Sequence, residues 1–326
     1  MRILIPFVHY KDSAVDNIQQ TLTEMGHEVR TLGSVDHARY WSLPRYALRV
    51  LKERLASETM SRDERKLLQL ARDFKPNMIL AGVHSPINPL LLDEFGKLCP
   101  GRRVLWWGDA PGNSQKWGIL DPRWDAVYLK DRVGVEKLRL VGRNAHMLNE
   151  AMNPRWHRPV ATQQNDSIVF IGNYYAFRQA MALRLIEDGI QCQLYGSTPP
   201  VWADRRIKKQ HAGRYLSGEE KSRVAAEGLG CLNTFHFTEG DSLNMRAFET
   251  AGAAALQLME YRPAVEECFE PGKEILTFRN YEELLDHIDK ARRYPAEMIA
   301  IRNAGAKRAH AEHTYRHRLE VILKNL

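Results

Sequence analysis

Short, almost wholly apolar runs recur along this chain, each separated from the next by a stretch that reads as helix. Arg2-Ile-Leu-Ile-Pro-Phe-Val8 is the first, and Met78–Val83, Arg103–Trp107, Ile168–Ile171, Gln191–Tyr195 and Gly230–Phe237 follow. A run that is apolar at successive positions, rather than at alternating ones, suits a strand covered on both faces, the condition of a parallel sheet. Ser13–Met25, closed by Gly26, reads as the first intervening helix. Further helices are expected over Pro44–Ala56, Arg62–Phe74, Pro86–Leu98, Ala176–Glu187 and Glu219–Glu227. Strand, helix and strand repeated in this way specify an α/β chain.

Its 326 residues suffice for two domains of ~150 residues, each with its own core. Asn153–Asp166, with two prolines and no periodicity, reads as the linker. The expected division is a Rossmann-like domain over 1–160, a second over 161–313, and a closing helix over 314–326. Two such halves leave a cleft between them, the usual place for a ligand. The first half has no Gly-x-Gly-x-x-Gly; His9-Tyr-Lys-Asp12 stands in its first loop instead, so no dinucleotide cofactor is indicated.

Composition excludes several classes. Hydrophobic content of 44% and charged content of 27% are those of an ordinary globular chain, and no run reaches the ~18 apolar residues of a membrane span. The N-terminal run is too short, and too soon broken by proline, for a signal peptide, so a cytoplasmic protein is expected. Cys99, Cys192, Cys231 and Cys268 lie far apart, with no metal-ligand spacing. Charge is uneven: residues 1–160 hold 25 Lys and Arg against 18 Asp and Glu, while the remainder holds 22 of each. The net charge of +7 is therefore a property of the first half.

The stretch Thr234–Gly252 concentrates the chemistry. A strand end leads through a polar turn into a helix for which Asp241 or Ser242 is the expected N-cap. A capped helix N-terminus seats anions, because unpaired N–H groups and the macrodipole both point there. Arg246 and Glu249, three apart, follow on one face. Together they suit a diphosphate and a ribose diol. Gly172-Asn173, after the strand at 168–171, lets backbone approach a phosphate closely, and Arg178 lies just inside the next helix. Gly196 after Tyr195 reads either as a plain turn or as a base-binding loop.

The motifs Asn244-Met-Arg246-Ala-Phe-Glu249-Thr-Ala-Gly252, Phe269-Glu-Pro-Gly-Lys273-Glu274-Ile and His313-Thr-Tyr-Arg-His-Arg318 resemble the CgeB-like glycosyltransferases, named after a spore maturation protein. The likeness covers residues 165–326 well. Over the first half it is carried only by Trp106–Pro111 and Leu148–Pro159. It implies a GT-B-like fold, two Rossmann-like α/β domains facing across a cleft, with the last helix returning to the first domain. It implies a nucleotide-sugar donor, most simply UDP-linked, with Glu249 as ribose ligand. An acid contacting the sugar is implied seven intervening residues ahead; Asp241 stands there, with Glu239 near it, where the family commonly has Glu. It implies a structural role for His313, His317 and Arg318.

No Asp-x-Asp occurs, so no metal site is expected and helix dipole with arginine must offset the leaving-group charge. An attacking hydroxyl needs a base, and His84, Asp109 and His9, at first-half strand ends, are candidates. Between His37 and Leu55 five basic residues face one acid. Arg45, Arg49 and Lys52 share a helix face there, either solvated or recruiting an anionic acceptor, a glycan or glycolipid first and modified DNA second. A glycosyltransferase is thus expected, with a nucleotide-sugar epimerase of the same fold or a non-catalytic nucleotide-sugar binder as alternatives.

Overall fold

The computed structural model describes residues 1–37, 48, 60–82, 87–113, 118–174 and 176–325, and in it the apolar runs are the strands of two parallel sheets. The chain forms two compact units, residues 1–149 with 318–326, and residues 150–317.

In the first unit the described strands are β1 (Arg2–Leu4), β2 (Glu28–Arg30), β3 (Met78–Gly82), β4 (Arg103–Trp107), β5 (Ala126–Leu129) and β6 (Ala145–Met147). They lie in the order β2-β1-β3-β4-β5-β6, every pair parallel. All five positions of β3 are buried, as a strand covered on both faces requires. Leu67, Leu68, Ala71 and Phe74 of the helix α2 (Arg62–Phe74) pack with Ile79, Leu105 and Val127 of the sheet. Local chemistry sets the helix ends. Ser61 and Glu64 form a reciprocal capping box for α2, and Ser13 caps α1 (Ala14–Glu24). The helix expected from Pro86 begins instead at Pro89 as α3 (Pro89–Leu98). There Asn88 accepts from the Leu90 N–H at 3.0 Å and proline takes the first helical position. A helix not foreseen, α4 (Arg132–Leu140), follows the cap Asp131. The helix expected over Pro44–Ala56 lies outside the described residues.

The second unit has β7 (Ile168–Ile171), β8 (Cys192–Tyr195), β9 (Gly230–Asn233), β10 (Gln257–Glu260) and β11 (Leu276–Phe278), ordered β11-β10-β9-β7-β8 and again parallel. Its helices are α5 (Ala176–Glu187), α6 (Arg205–Gln210), α7 (Glu219–Glu227), α8 (Met245–Gly252), α9 (Tyr281–Arg293) and α10 (Pro295–Glu312). The last helix, α11 (Tyr315–Lys324), starts in this unit, and its residues from Arg318 on belong to the first. β7 is buried throughout and packs with Leu194, Leu232 and Leu258 against Leu185, Leu284 and Ile301. Strand order reverses at β7, between β8 and β9, so the loops after β7 and β9 flank the place where open parallel sheets bind ligands.

Several strand ends differ from expectation; β1, for example, stops at Leu4 rather than at Val8. The strand read over 230–237 ends at Asn233, where the chain turns off the sheet to carry the loop before α8. Ala253 closes α8 and Ala254 takes a left-handed φ of 53° to reverse the chain, so β10 begins at Gln257. His313 is a core residue: its ring lies 5.1 Å from both Phe248 and Phe269, and it bonds the Cys268 carbonyl at 2.8 Å.

Candidate functional site

The carboxyl ends of β7 and β8 meet at two glycines. Gly172 donates its N–H to the Tyr195 carbonyl at 2.9 Å, and Gly172 and Gly196 have φ of 131° and 136°. A Cβ at Gly196 would overlap the Gly172 backbone, so only glycine fits. The half-buried Tyr195 beside it donates its hydroxyl to Gln193 at 3.1 Å. Tyr174 is buried and its hydroxyl reaches the Tyr195 carbonyl at 3.3 Å.

The two arginines play different parts. Arg178, 2% exposed, donates to the Asn173 carbonyl at 2.5 Å, to the Thr234 carbonyl at 2.9 Å and to Thr234 Oγ1 at 3.3 Å. It thereby ties the loop after β7 to the loop after β9. Arg246 is half-buried, and its guanidinium lies over Gly172 where a side chain would otherwise stand. Its own bonds, to Asn233 Oδ1 and the Thr234 carbonyl, are long at 3.4 and 3.5 Å. Bonds at the limit of range leave its donors to a ligand.

The N-cap of α8 is Asn244, not Asp241 or Ser242. Its Oδ1 accepts from the Ala247 N–H at 3.3 Å, and its amide pairs reciprocally with that of Asn233 at 2.9 and 3.0 Å. Asp241 instead accepts from the Ala264 N–H through Oδ1 at 2.8 Å, and Ser242 donates to Glu239 at 3.2 Å. Arg262 fixes that loop, donating to the carbonyl of Glu239 at 3.0 Å and to that of Gly240. A helix starts where its backbone becomes helical, and the paired amides place that start at Met245.

Glu249 has partners that sequence reasoning missed. The carboxylate, 4% exposed, accepts from Lys221 Nζ at 2.8 Å, and His157 Nε2 lies 3.5 Å from the same oxygen, Oε1. Lys221 is 8% and His157 1% exposed. His157 Nδ1 accepts from the Asn153 N–H at 3.2 Å, which leaves the proton of a neutral ring on Nε2, facing Glu249. Among the described residues no hydrogen bond or ion pair reaches Glu249 Oε2. Glu249 lines a small cavity with Arg246, Ile171, Lys221, His157 and Ala253. Lys221 and His157 stand 28 and 92 positions from Glu249, and no local pattern announces either. Burial pushes the Cys231 thiol up to about 11 and that of Cys192 up to about 12, so neither is a thiolate nucleophile.

In the first unit His9 follows β1, and its Nδ1 lies 3.0 Å from Asp16 Oδ1. Asp16 is fixed in turn by the Asp12 N–H at 2.9 Å and by Gln20 at 3.1 Å. Asp109 follows β4, where it accepts from the Ala110 N–H at 2.8 Å. His84, Arg45, Arg49 and Lys52 lie outside the described residues.

Residues 176–324 match the family model described as Glycosyl transferase-like. No curated protein matches the sequence. Among solved structures, Alr3699/HepE of Anabaena in complex with UDP-glucose aligns over 100% of this chain and 99% of its own, at 10% identity and a TM-score of 0.65. AviGT4, a glycosyltransferase involved in avilamycin A biosynthesis, aligns over 99% of this chain and 96% of its own, at 14% identity and a TM-score of 0.62. Sucrose-phosphate synthase from Thermosynechococcus elongatus gives 99% and 96% coverage, 12% identity and a TM-score of 0.62. These likenesses establish the fold: two parallel sheets flanked by helices, of GT-B type. The chain thus has the GT-B fold throughout, and its residues 176–324 resemble a glycosyltransferase-like family.

Proposed function

We propose that this enzyme moves a sugar from a UDP-linked donor to a hydroxyl of an acceptor, without a metal ion, and that the donor occupies the second unit. The observation that carries this reading is Glu249. A buried carboxylate whose Oε1 accepts from Lys221 and whose Oε2, among the described residues, accepts from none, beside an under-used arginine, suits a diol next to a phosphate. The donor's ribose hydroxyls donate to Oε2. Its diphosphate lies against Arg246, the Gly172 and Gly196 backbone and the N-terminus of α8, with Asn173, Asn244 and Tyr195 around it. Asp241 and Glu239 meet the sugar. The UDP-glucose complex of HepE supports the choice of nucleotide.

In the transfer, the acceptor oxygen bonds to the anomeric carbon as the bond from that carbon to the diphosphate oxygen breaks. The electron pair leaves with UDP, and the hydroxyl proton passes to a base. Arg246 and the helix dipole offset the charge that develops on UDP. Lys221 supplies a fixed positive charge beside Glu249. His9 is the preferred base, because Asp16 engages Nδ1 and leaves Nε2 to accept the proton. Asp109 and His84 are the other candidates. An anionic acceptor, glycan or glycolipid before modified DNA, fits the basic face expected at Arg45, Arg49 and Lys52.

The test is turnover. Purified protein supplied with UDP-, GDP- and dTDP-sugars should release UDP, slowly alone and faster with acceptor. Isomerisation of the sugar without nucleotide release, or binding without any turnover, would replace this reading with another.

A further inference from the structure

We infer that Lys221 is a positioning residue that aims the Glu249 carboxylate at the ribose, and so makes the enzyme discriminate ribonucleotide donors from 2′-deoxyribonucleotide ones. The inference rests on the proposed donor site, and deepens it.

Lys221 is the third residue of α7, a helix whose first turn is otherwise acidic with Glu219 and Glu220. Two carboxylates there suit the helix dipole, whereas an ammonium does not. The helix nonetheless directs this lysine inward, to 8% exposure and 2.8 Å from Glu249 Oε1. A buried ion pair is weak as a stabilising device, since desolvating both charges offsets most of their attraction. As a means of fixing a carboxylate it is effective. Lys221 and His157 approach the same oxygen, which pins the carboxylate plane and leaves Oε2 as the acceptor that remains. A pair serving structure alone would be expected to have both oxygens satisfied.

Two consequences follow from removing the ammonium. The buried carboxylate loses its counter-charge, so it takes up a proton or turns toward water. Either change removes the charged acceptor that a ribose 2′-hydroxyl would meet. A site that hydrogen-bonds a hydroxyl rejects the analogue lacking it because its own buried group is then left unpaired. Discrimination between UDP and 2′-deoxyuridine diphosphate is therefore the property that depends on Lys221, beyond overall affinity.

The experiment is calorimetric titration of UDP and of 2′-deoxyuridine diphosphate into the parent protein and into Lys221→Met, Lys221→Arg and Glu249→Gln, each first shown by melting to be folded. The parent should favour UDP by about tenfold or more. Lys221→Met should bind UDP about tenfold more weakly, with the ratio between the two ligands falling toward one. Lys221→Arg, which keeps the charge, should keep most of the ratio. If Lys221→Met does not fold, the arginine variant and Lys221→Gln carry the comparison: arginine keeps the ratio and glutamine lowers it. A ratio at the parent value in a folded Met or Gln variant overturns the inference, provided Glu249→Gln abolishes it. Unchanged UDP affinity in Glu249→Gln overturns the donor-site reading itself.

Discussion

Gly172 and Gly196 touch backbone to backbone at the carboxyl ends of adjacent strands, with the Gly172 N–H on the Tyr195 carbonyl at 2.9 Å. Both adopt a φ that side chains rarely adopt, and the close approach leaves no volume for a methyl group at Gly196. The paired glycines set the floor on which Arg246 rests.

Gly196→Ala should therefore cost more than the backbone term alone, about 1–3 kcal/mol plus the overlap, and should lower affinity for UDP as well. Gly213→Ala is the control: its φ is 71°, but a Cβ there meets nothing within 4 Å. It should show only about 1 kcal/mol of destabilisation, and parent-like UDP binding. Melting curves and calorimetry on the two variants read the difference.

Much of this architecture is legible along the chain, because it is written in local patterns. The buried run Ile168–Ile171 and the helices over 62–74, 176–187 and 219–227 fall where periodicity puts them. The N-cap of α8 is not legible, because Asp241, Ser242 and Asn244 are all good capping residues, and only the partner Asn233, eleven positions away from Asn244, selects among them. Glu249 is legible as a carboxylate behind an anion seat. Its partners Lys221 and His157 come from a helix and a loop that only the folded sheet brings together, so no spacing rule reaches them.

Arg178 and Arg246 look alike in the sequence and should separate by experiment. Arg178→Lys removes the fork that holds the carbonyls of Asn173 and Thr234, so it should destabilise the fold by about 1–3 kcal/mol. Arg246→Ala should melt close to the parent, because its bonds are long, while weakening UDP by about tenfold or more. Equal loss of stability in both variants would contradict the division of roles.

Turnover should survive EDTA. The motivation is the Lys221 ammonium beside Glu249, together with Arg246 and the N-terminus of α8 at the proposed diphosphate. Loss of UDP release on chelation, restored by Mn²⁺ or Mg²⁺, would show that the leaving group needs a metal after all.

The most direct measurement is a crystal structure with UDP bound. The account predicts a ribose hydroxyl within about 2.6–3.2 Å of Glu249 Oε2, Lys221 still on Oε1, and the diphosphate against Arg246 and the Gly172 backbone. UDP bound with its ribose turned away from Glu249, or bound outside the second unit, would contradict it.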